Sequence, residues 1–214
     1  MPGLIKIDPQ AISLTALRPA VEALLDGGVL AGPTQSFYGL MAAADKAPAL
    51  ERIMTLKGRE PNKPLLLLLD QPLRLTCYAR ELPESAQGLA AKFWPGPLTL
   101  LLRARRGLHP ALVGPTRTVG VRVEGLPAIR TLIRALDRAI TGTSANPGGR
   151  PPALTAEEVQ AYFGDKIDLI LDGGPCPGGA GSTLIDVSIG PPRLVRDGGL
   201  SLDEMVSVAP DMRT

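Results

Sequence analysis

Apolar residues fall along this chain in short blocks separated by polar, Gly- or Pro-containing stretches, and the length and period of each block predict its element. Residues 4–7 have the length of a short strand. Leu17, Val21, Leu24 and Leu25 recur at helical spacing, and Gly27 and Gly28 close that helix. Residues 29–31 read as a buried strand ending at Pro33 and Thr34. Pro48, tolerated in a first helical turn, opens a helix through Leu50, Ile53, Met54 and Leu56 that ends near Gly58. The five leucines at 65–69 are too short a run for a buried helix and predict a strand covered on both faces. A helix over 83–94 stops at Pro95-Gly96-Pro97, and strands follow over 98–102 and 118–123. Residues 126–136 have an amphipathic helical pattern, and 139–143 predict a strand running into a polar turn. Thr155 and Glu158 have capping-box spacing for a helix to Phe163. Strands over 168–171, 183–187 and 193–195 complete the reading.

Interleaved strands and helices predict a single-domain α/β protein built on a twisted, mixed parallel and antiparallel sheet with flanking helices. The short Gly-Pro-Pro turn before residue 193 predicts an antiparallel hairpin at the end of the sheet. No internal repeat or linker divides the chain, so one domain over 1–214 is expected, with residues 173–181 a Gly/Pro-rich loop.

Composition narrows the classes. At 214 residues the chain is long enough for a substantial core, but aromatics are 3%, so Leu, Val, Ile and Ala must build it. The 23 basic residues are nearly balanced by 21 acidic ones, and 17 of the 23 are arginine. A global attraction to nucleic acid is not implied, whereas a local basic cleft is compatible with this balance. Cys77 and Cys176 are far apart, giving neither a disulfide framework nor a zinc knuckle, which fits a reducing cytosol. With no signal-like N-terminus and no membrane-length apolar run, a cytoplasmic protein without membrane contact is expected.

The usual nucleotide motifs, a Walker loop or a Gly-x-Gly-x-x-Gly turn, are missing. His109 is the single histidine, which argues against triad and metal chemistry and for a structural or surface role. What remains is polar residues where apolar strands end. Thr34, Ser36 and Tyr38 follow the first buried strand, and Lys57, Arg59 and Lys63 crowd the approach to the leucine run. Ser144 and Asn146 open a Gly/Pro turn, Ser182 follows the Gly-rich loop, and Arg196 ends the last strand. Ligands of open α/β sheets bind beyond strand ends, and converging cations and hydroxyls there suit an anion. Each motif alone is also ordinary helix-end or turn chemistry. Arg122 differs: an arginine inside Val-Gly-Val-Arg-Val demands either an acidic partner or an anionic ligand. An anion-binding cleft is as far as the residues alone lead.

Taken in order, these segments resemble the YrdC-like family, the threonylcarbamoyl-AMP synthases. The resemblance is carried by Pro-Thr-x-Ser-x-Tyr-Gly-Leu at 33–40, Lys-x-Arg with Pro-Leu at 57–65, Trp-Pro-Gly-Pro-Leu-Thr at 94–99 and Val-x-Val-Arg-Val at 119–123. Thr-Ser-Ala-Asn with a following Gly at 143–148, Ser-Thr-Leu-Ile-Asp at 182–186 and Arg-Asp-Gly at 196–198 extend it, so it covers about residues 17–198. It implies a mixed sheet around a concave, positively charged cavity. It also implies an enzyme that joins L-threonine, bicarbonate and ATP into threonylcarbamoyl-adenylate and pyrophosphate, for threonylcarbamoyladenosine modification of tRNA. Carried over residue by residue, it implies Lys57 and Arg59 as catalytic, and Arg59, Lys63, Thr118, Ser144, Asn146 and Arg196 as ATP-binding. Ser36, Arg122 and Ser182 would hold threonine and its carbamate, with Thr34 and Tyr38 shaping that pocket. Mg²⁺ is expected mainly on the ATP phosphates. Gln35 stands where an acidic residue is common and Leu68 where His is frequent. The resemblance further implies the short type without an additional C-terminal domain, which needs partner proteins for the tRNA step. A diverged paralogue without synthase activity, or a double-stranded RNA-binding protein using the basic cavity, are the competing expectations.

Overall fold

The computed structural model describes residues 1–11, 13–58 and 63–213. Strand β1 (Gly3–Lys6) and helix α1 (Leu14–Leu25) come first, with the Ser13 hydroxyl capping α1 by accepting from Ala16 N at 3.3 Å. Gly27, at a φ of 84°, then turns the chain out of the helix. The polar segment that follows the first buried strand turns into a second strand not predicted from the sequence: β2 (Leu30–Pro33) pairs antiparallel with β3 (Tyr38–Met41). Helix α2 (Ala47–Lys57) ends on Gly58 in the left-handed conformation, and β4 (Leu67–Leu69) takes the centre of the leucine run. Helix α3 (Glu84–Phe93), β5 (Leu98–Arg103), β6 (Thr118–Val123) and α4 (Pro127–Leu136) lie within a residue or two of the expected bounds. They are followed by β7 (Ile140–Thr141), β8 (Thr143–Ser144), α5 (Ala156–Phe163), β9 (Leu169–Asp172), β10 (Thr183–Asp186), β11 (Arg193–Arg196) and a short α6 (Leu202–Val206) that the periodicity did not predict.

The strands are shared between two mixed sheets, where the sequence reading drew one. The first has the order β1-β9-β2-β3-β8 and the second β11-β10-β5-β6-β4-β7. The division falls inside the predicted 139–143 strand. Ile140 and Thr141 pair with β4 in the second sheet, whereas Thr143 and Ser144 pair with β3 in the first. Gly142 makes the crossing possible, because a Cβ there would lie 2.5 Å from Leu68 Cγ. The buried Thr141 hydroxyl ties the sheets together, donating to Leu40 O and accepting from Ala42 N, both at 3.0 Å. The expected C-terminal hairpin is present as β10 against β11.

Two apolar clusters hold this arrangement. Leu17, Ala20 and Leu24 of α1 meet Ile129, Leu132, Ile133 and Leu136 of α4 over one face, and a larger cluster containing Leu65, Leu67, Leu69, Val119, Val121 and Val123 fills the rest. Cys77 and Cys176 are both free thiols. No helix among the described residues is long and apolar enough to cross a membrane.

Candidate functional site

In the second sheet β4 and β6 run one way and β5 and β10 the other. One end therefore gathers the start of β10, the start of β5 and the finish of β6, and polar side chains collect there. The Thr99 and Ser182 hydroxyls are 2.8 Å apart and buried, and Arg196 Nη2 donates to the Ser182 hydroxyl at 3.2 Å and to its carbonyl at 2.8 Å. Gly198 sits so close to this turn that a Cβ would lie 2.2 Å from Thr183 N, which accounts for glycine in the Arg-Asp-Gly motif. Arg122, 4% exposed, is paired with the fully buried Glu124. The second Glu124 oxygen accepts from Gly125 N at 2.9 Å and Leu126 N at 3.2 Å. Desolvation of the Arg196 guanidinium, and then the like charge of Arg122, lower the Arg196 pKa. Two guanidiniums thus lie near one another, only Arg122 being paired with a carboxylate among the described residues, and Arg122 Nε is buried with no partner.

The β2–β3 turn borders this cluster. The Thr34 hydroxyl donates to Phe37 O at 2.8 Å, and the buried Ser36 accepts Gly178 N on its carbonyl at 2.8 Å. Tyr38 is fully buried, and its hydroxyl donates to Gly174 O at 2.9 Å and accepts from Gly173 N at 3.2 Å. Burial pushes the Tyr38 phenol above its ordinary pKa of 10.0. Tyr38 therefore acts as a strut under the 173–181 loop. That loop is further held by Cys176 N on Leu154 O at 2.8 Å and by Gly199 N on Gly181 O at 2.9 Å.

A second group forms where α2 ends against β8. The Lys57 ammonium, carried in the last turn of α2, donates to Ser144 O at 2.6 Å, Asn146 O at 2.9 Å and Asn146 Oδ1 at 3.2 Å. Ser144 Oγ donates to Asn146 Oδ1 at 2.6 Å, and Asn146 Nδ2 donates to Arg150 O at 2.7 Å. Gly148 lies against the end of the helix, its N–H on Lys57 O at 2.8 Å, where a Cβ would lie equally close to that oxygen. Lys57, Lys63, Ser144 and Asn146 line one cavity of about 660 Å³. Its lining mixes cations, hydroxyl, amide and glycine backbone, a combination suited to phosphate oxygens.

The structure thus brings the predicted residues into two groups: Thr34, Ser36, Arg122, Ser182 and Arg196 around one strand end, and Lys57, Lys63, Ser144 and Asn146 around the cavity. Arg59 lies outside the described residues. Thr118 opens β6 at the end opposite Arg122, with its hydroxyl 3.0 Å from that of Thr116. His109 accepts Ala111 N on Nδ1 at 3.2 Å, and its Nε2 lies 3.6 Å from Glu51 Oε1. Sequence reasoning missed Glu124 and Thr99. Glu124 was discoverable, because residues two apart on a strand share a face and Arg122 required an acid or an anion. Gln35 was noted only as a departure. Its Oε1 is buried without a partner, and its amide lies over Gly125, where a Cβ would come within 2.2 Å of Gln35 Cδ.

A family model covering Sua5, YciO and YrdC, described as "Telomere recombination", matches residues 22–198. The chain belongs to this family. It is 38% identical over 197 residues to the threonylcarbamoyl-AMP synthase of Pyrococcus abyssi, covering 92% of this chain and 58% of that protein. It is also 38% identical over 181 residues to the threonylcarbamoyl-AMP synthase of Thiobacillus denitrificans, covering 84% of this chain and 96% of that one. A crystal structure of P. abyssi Sua5 complexed with L-threonine superposes with a TM-score of 0.91 at 36% identity, covering all of this chain and 62% of that one. The chain thus spans rather more than half of the archaeal family member and nearly all of the bacterial one.

Proposed function

We propose that this chain is a threonylcarbamoyl-AMP synthase that joins L-threonine, bicarbonate and ATP into threonylcarbamoyl-adenylate and pyrophosphate. The observation that carries the reading is the buried Arg122, its Nε unpartnered, facing Arg196 beside the Ser182 hydroxyl. Glu124 neutralises Arg122, but the unpartnered Arg122 Nε and the additional positive charge of Arg196 beside Ser182 offer donors and charge that an anionic ligand would take up. Threonine and its carbamate each supply carboxylate oxygens of the required charge, and the solved family structure with L-threonine supports that assignment.

In this reading the threonine amine adds to the carbon of bicarbonate or of the carbon dioxide it releases. Water leaves overall, and a carbamate remains. A carbamate oxygen then attacks the ATP α-phosphorus in line while the bond to pyrophosphate breaks. Ser36, Arg122 and Ser182 hold threonine and its carbamate, and Thr34 and Tyr38 shape that pocket. Lys57, Lys63, Ser144 and Asn146 receive the nucleotide, with Arg59, Thr118 and Arg196 assigned to the same substrate by family resemblance. Such a transfer relies on positioning and charge neutralisation more than on a dedicated acid or base. Mg²⁺ would be held mainly by the ATP phosphates, where it would help neutralise their charge. The product would feed threonylcarbamoyladenosine formation in tRNA, with partner proteins acting in the transfer.

The deciding experiment is pyrophosphate release from MgATP and bicarbonate with and without L-threonine. Release that requires both threonine and bicarbonate is expected. Folded protein that binds ATP but shows no threonine-dependent release would overturn the proposal in favour of a diverged family member.

A further inference from the structure

At the other end of the second sheet, the segments that follow β5, precede β6 and follow β10 enclose a groove of about 770 Å³. Arg80, Arg103, Arg105, Arg106 and Arg117 line it, and no carboxylate does. The backbone builds this convergence. Arg80 N donates to Arg103 O and Arg105 N to Tyr78 O, each at 2.9 Å, and Arg117 adopts a φ of 57°, rare for a side-chain-bearing residue, to close its turn. Seven arginines elsewhere each pair with an Asp or Glu. These five pair with none among the described residues. Two meet only a carbonyl, Arg103 on Ser188 O at 2.9 Å and Arg105 on Thr76 O at 2.6 Å.

Clustered guanidiniums without carboxylates identify an anion site, and the rest of the groove identifies which anion. Its lining includes Leu108, Val113 and Ile189, the last 74% exposed. No aromatic ring lines it, so nucleobases have no stacking platform. Taking these five from the 23 basic residues leaves 18 against 21 acidic, so the remainder of the molecule is net negative. A long polyanion running past the groove would meet that repulsion, whereas a short acidic segment would not.

We infer that this groove docks a short acidic segment of a partner protein, with its carboxylates on the arginines and one aliphatic side chain against Leu108, Val113 and Ile189. The groove lies a strand length away from the Arg122 cluster and adjoins Thr118 through Thr116; Arg80 and Arg106 are assigned to no substrate, so substituting them tests docking apart from the reaction.

The test is fluorescence anisotropy with a labelled Asp/Glu-rich peptide carrying one leucine. Its Leu→Ser form, a Lys-substituted form and an RNA hairpin serve as the other probes. The expected result is saturable peptide binding that weakens about tenfold or more in Arg80→Glu/Arg106→Glu and falls with added salt. Leu→Ser and Ile189→Ser should each weaken it as well. The same double variant should keep its thermal midpoint and its pyrophosphate release, showing that the fold and the site are intact. RNA binding through these arginines in preference to the peptide would overturn the inference and make the groove a nucleic-acid surface. Absence of peptide binding, or binding indifferent to the arginines, would also overturn it.

Discussion

Arg122 and Glu124, two residues apart at the finish of β6, form an ion pair whose side chains are 4% and 0% exposed. The pair answers the requirement that an arginine in a Val-rich strand imposes, and leaves Arg122 Nε over for a further partner. Removing the acid strands a desolvated cation beside Arg196.

Glu124→Ala is therefore expected to lower stability by about 3–5 kcal/mol in urea melts, the usual cost of breaking a buried pair from one side. The double variant Arg122→Met/Glu124→Leu should recover part of that loss, because the buried ion pair is gone while Gly125 N and Leu126 N still lose their acceptor. It should not recover threonine-dependent pyrophosphate release. A Glu124→Ala protein as stable as the parent would show that the pair does not anchor the strand end.

Glycine substitutions separate two kinds of close approach. At Gly198 an added Cβ meets backbone, 2.2 Å from Thr183 N and 2.4 Å from Ser182 C, and backbone cannot move aside. Gly198→Ala should cost about 3 kcal/mol, at the upper end of ordinary overpacking, and should displace Ser182 from Arg196. At Gly125 the obstacle is the flexible end of Gln35, 2.2 Å away. Gly125→Ala should cost about 1 kcal/mol or less, since Gln35 changes rotamer. Thermal melts of the two variants decide this, and equal destabilisation would contradict the distinction.

The mixed α/β class, most helices and the closing hairpin were legible because apolar period and Gly/Pro punctuation are local signals. The division into two sheets was not. It turns on Gly142, and nothing local shows that Leu68 occupies the space a side chain would need there. The β2–β3 hairpin was hidden because its fully buried strand Tyr38–Met41 follows a polar turn without the alternation that marks a half-exposed strand. At the site, the polar residues were legible as strand-end clusters, yet their hydrogen-bonding roles were not. Lys57 grips the Ser144–Asn146 turn and Tyr38 supports a loop, and both follow from contacts between segments distant in sequence.

Lys57 holds two backbone carbonyls and an amide oxygen of the Ser-Ala-Asn turn from a largely buried position. Lys57→Met should leave those acceptors without this donor, costing about 1–3 kcal/mol. The turn would loosen and the cavity lose a cation, so MgATP affinity by calorimetry should drop more than about tenfold. Threonine binding should be retained. Unchanged MgATP affinity would separate Lys57 from the nucleotide cavity.

Tyr38 gives a pH prediction with a definite sign. Burial raises its folded pKa above the ordinary 10.0, while the unfolded chain keeps roughly that ordinary value. Below pH about 10 both states hold the proton and the phenol's contribution is complete. As pH rises further the unfolded state alone releases its proton, and stability falls by up to about 1.4 kcal/mol per pH unit until the folded pKa is passed. Tyr38→Phe should be less stable at about pH 8 by about 1 kcal/mol, from the lost bonds to Gly173 and Gly174. It should also have a shallower decline towards about pH 11, so the two stability curves approach one another. Tyr78 is raised in the same direction by burial and contributes equally to both proteins, so the difference between the curves isolates Tyr38. Urea midpoints across that range make the measurement, and parallel curves would show that Tyr38 ionises in the folded protein as readily as in the unfolded chain.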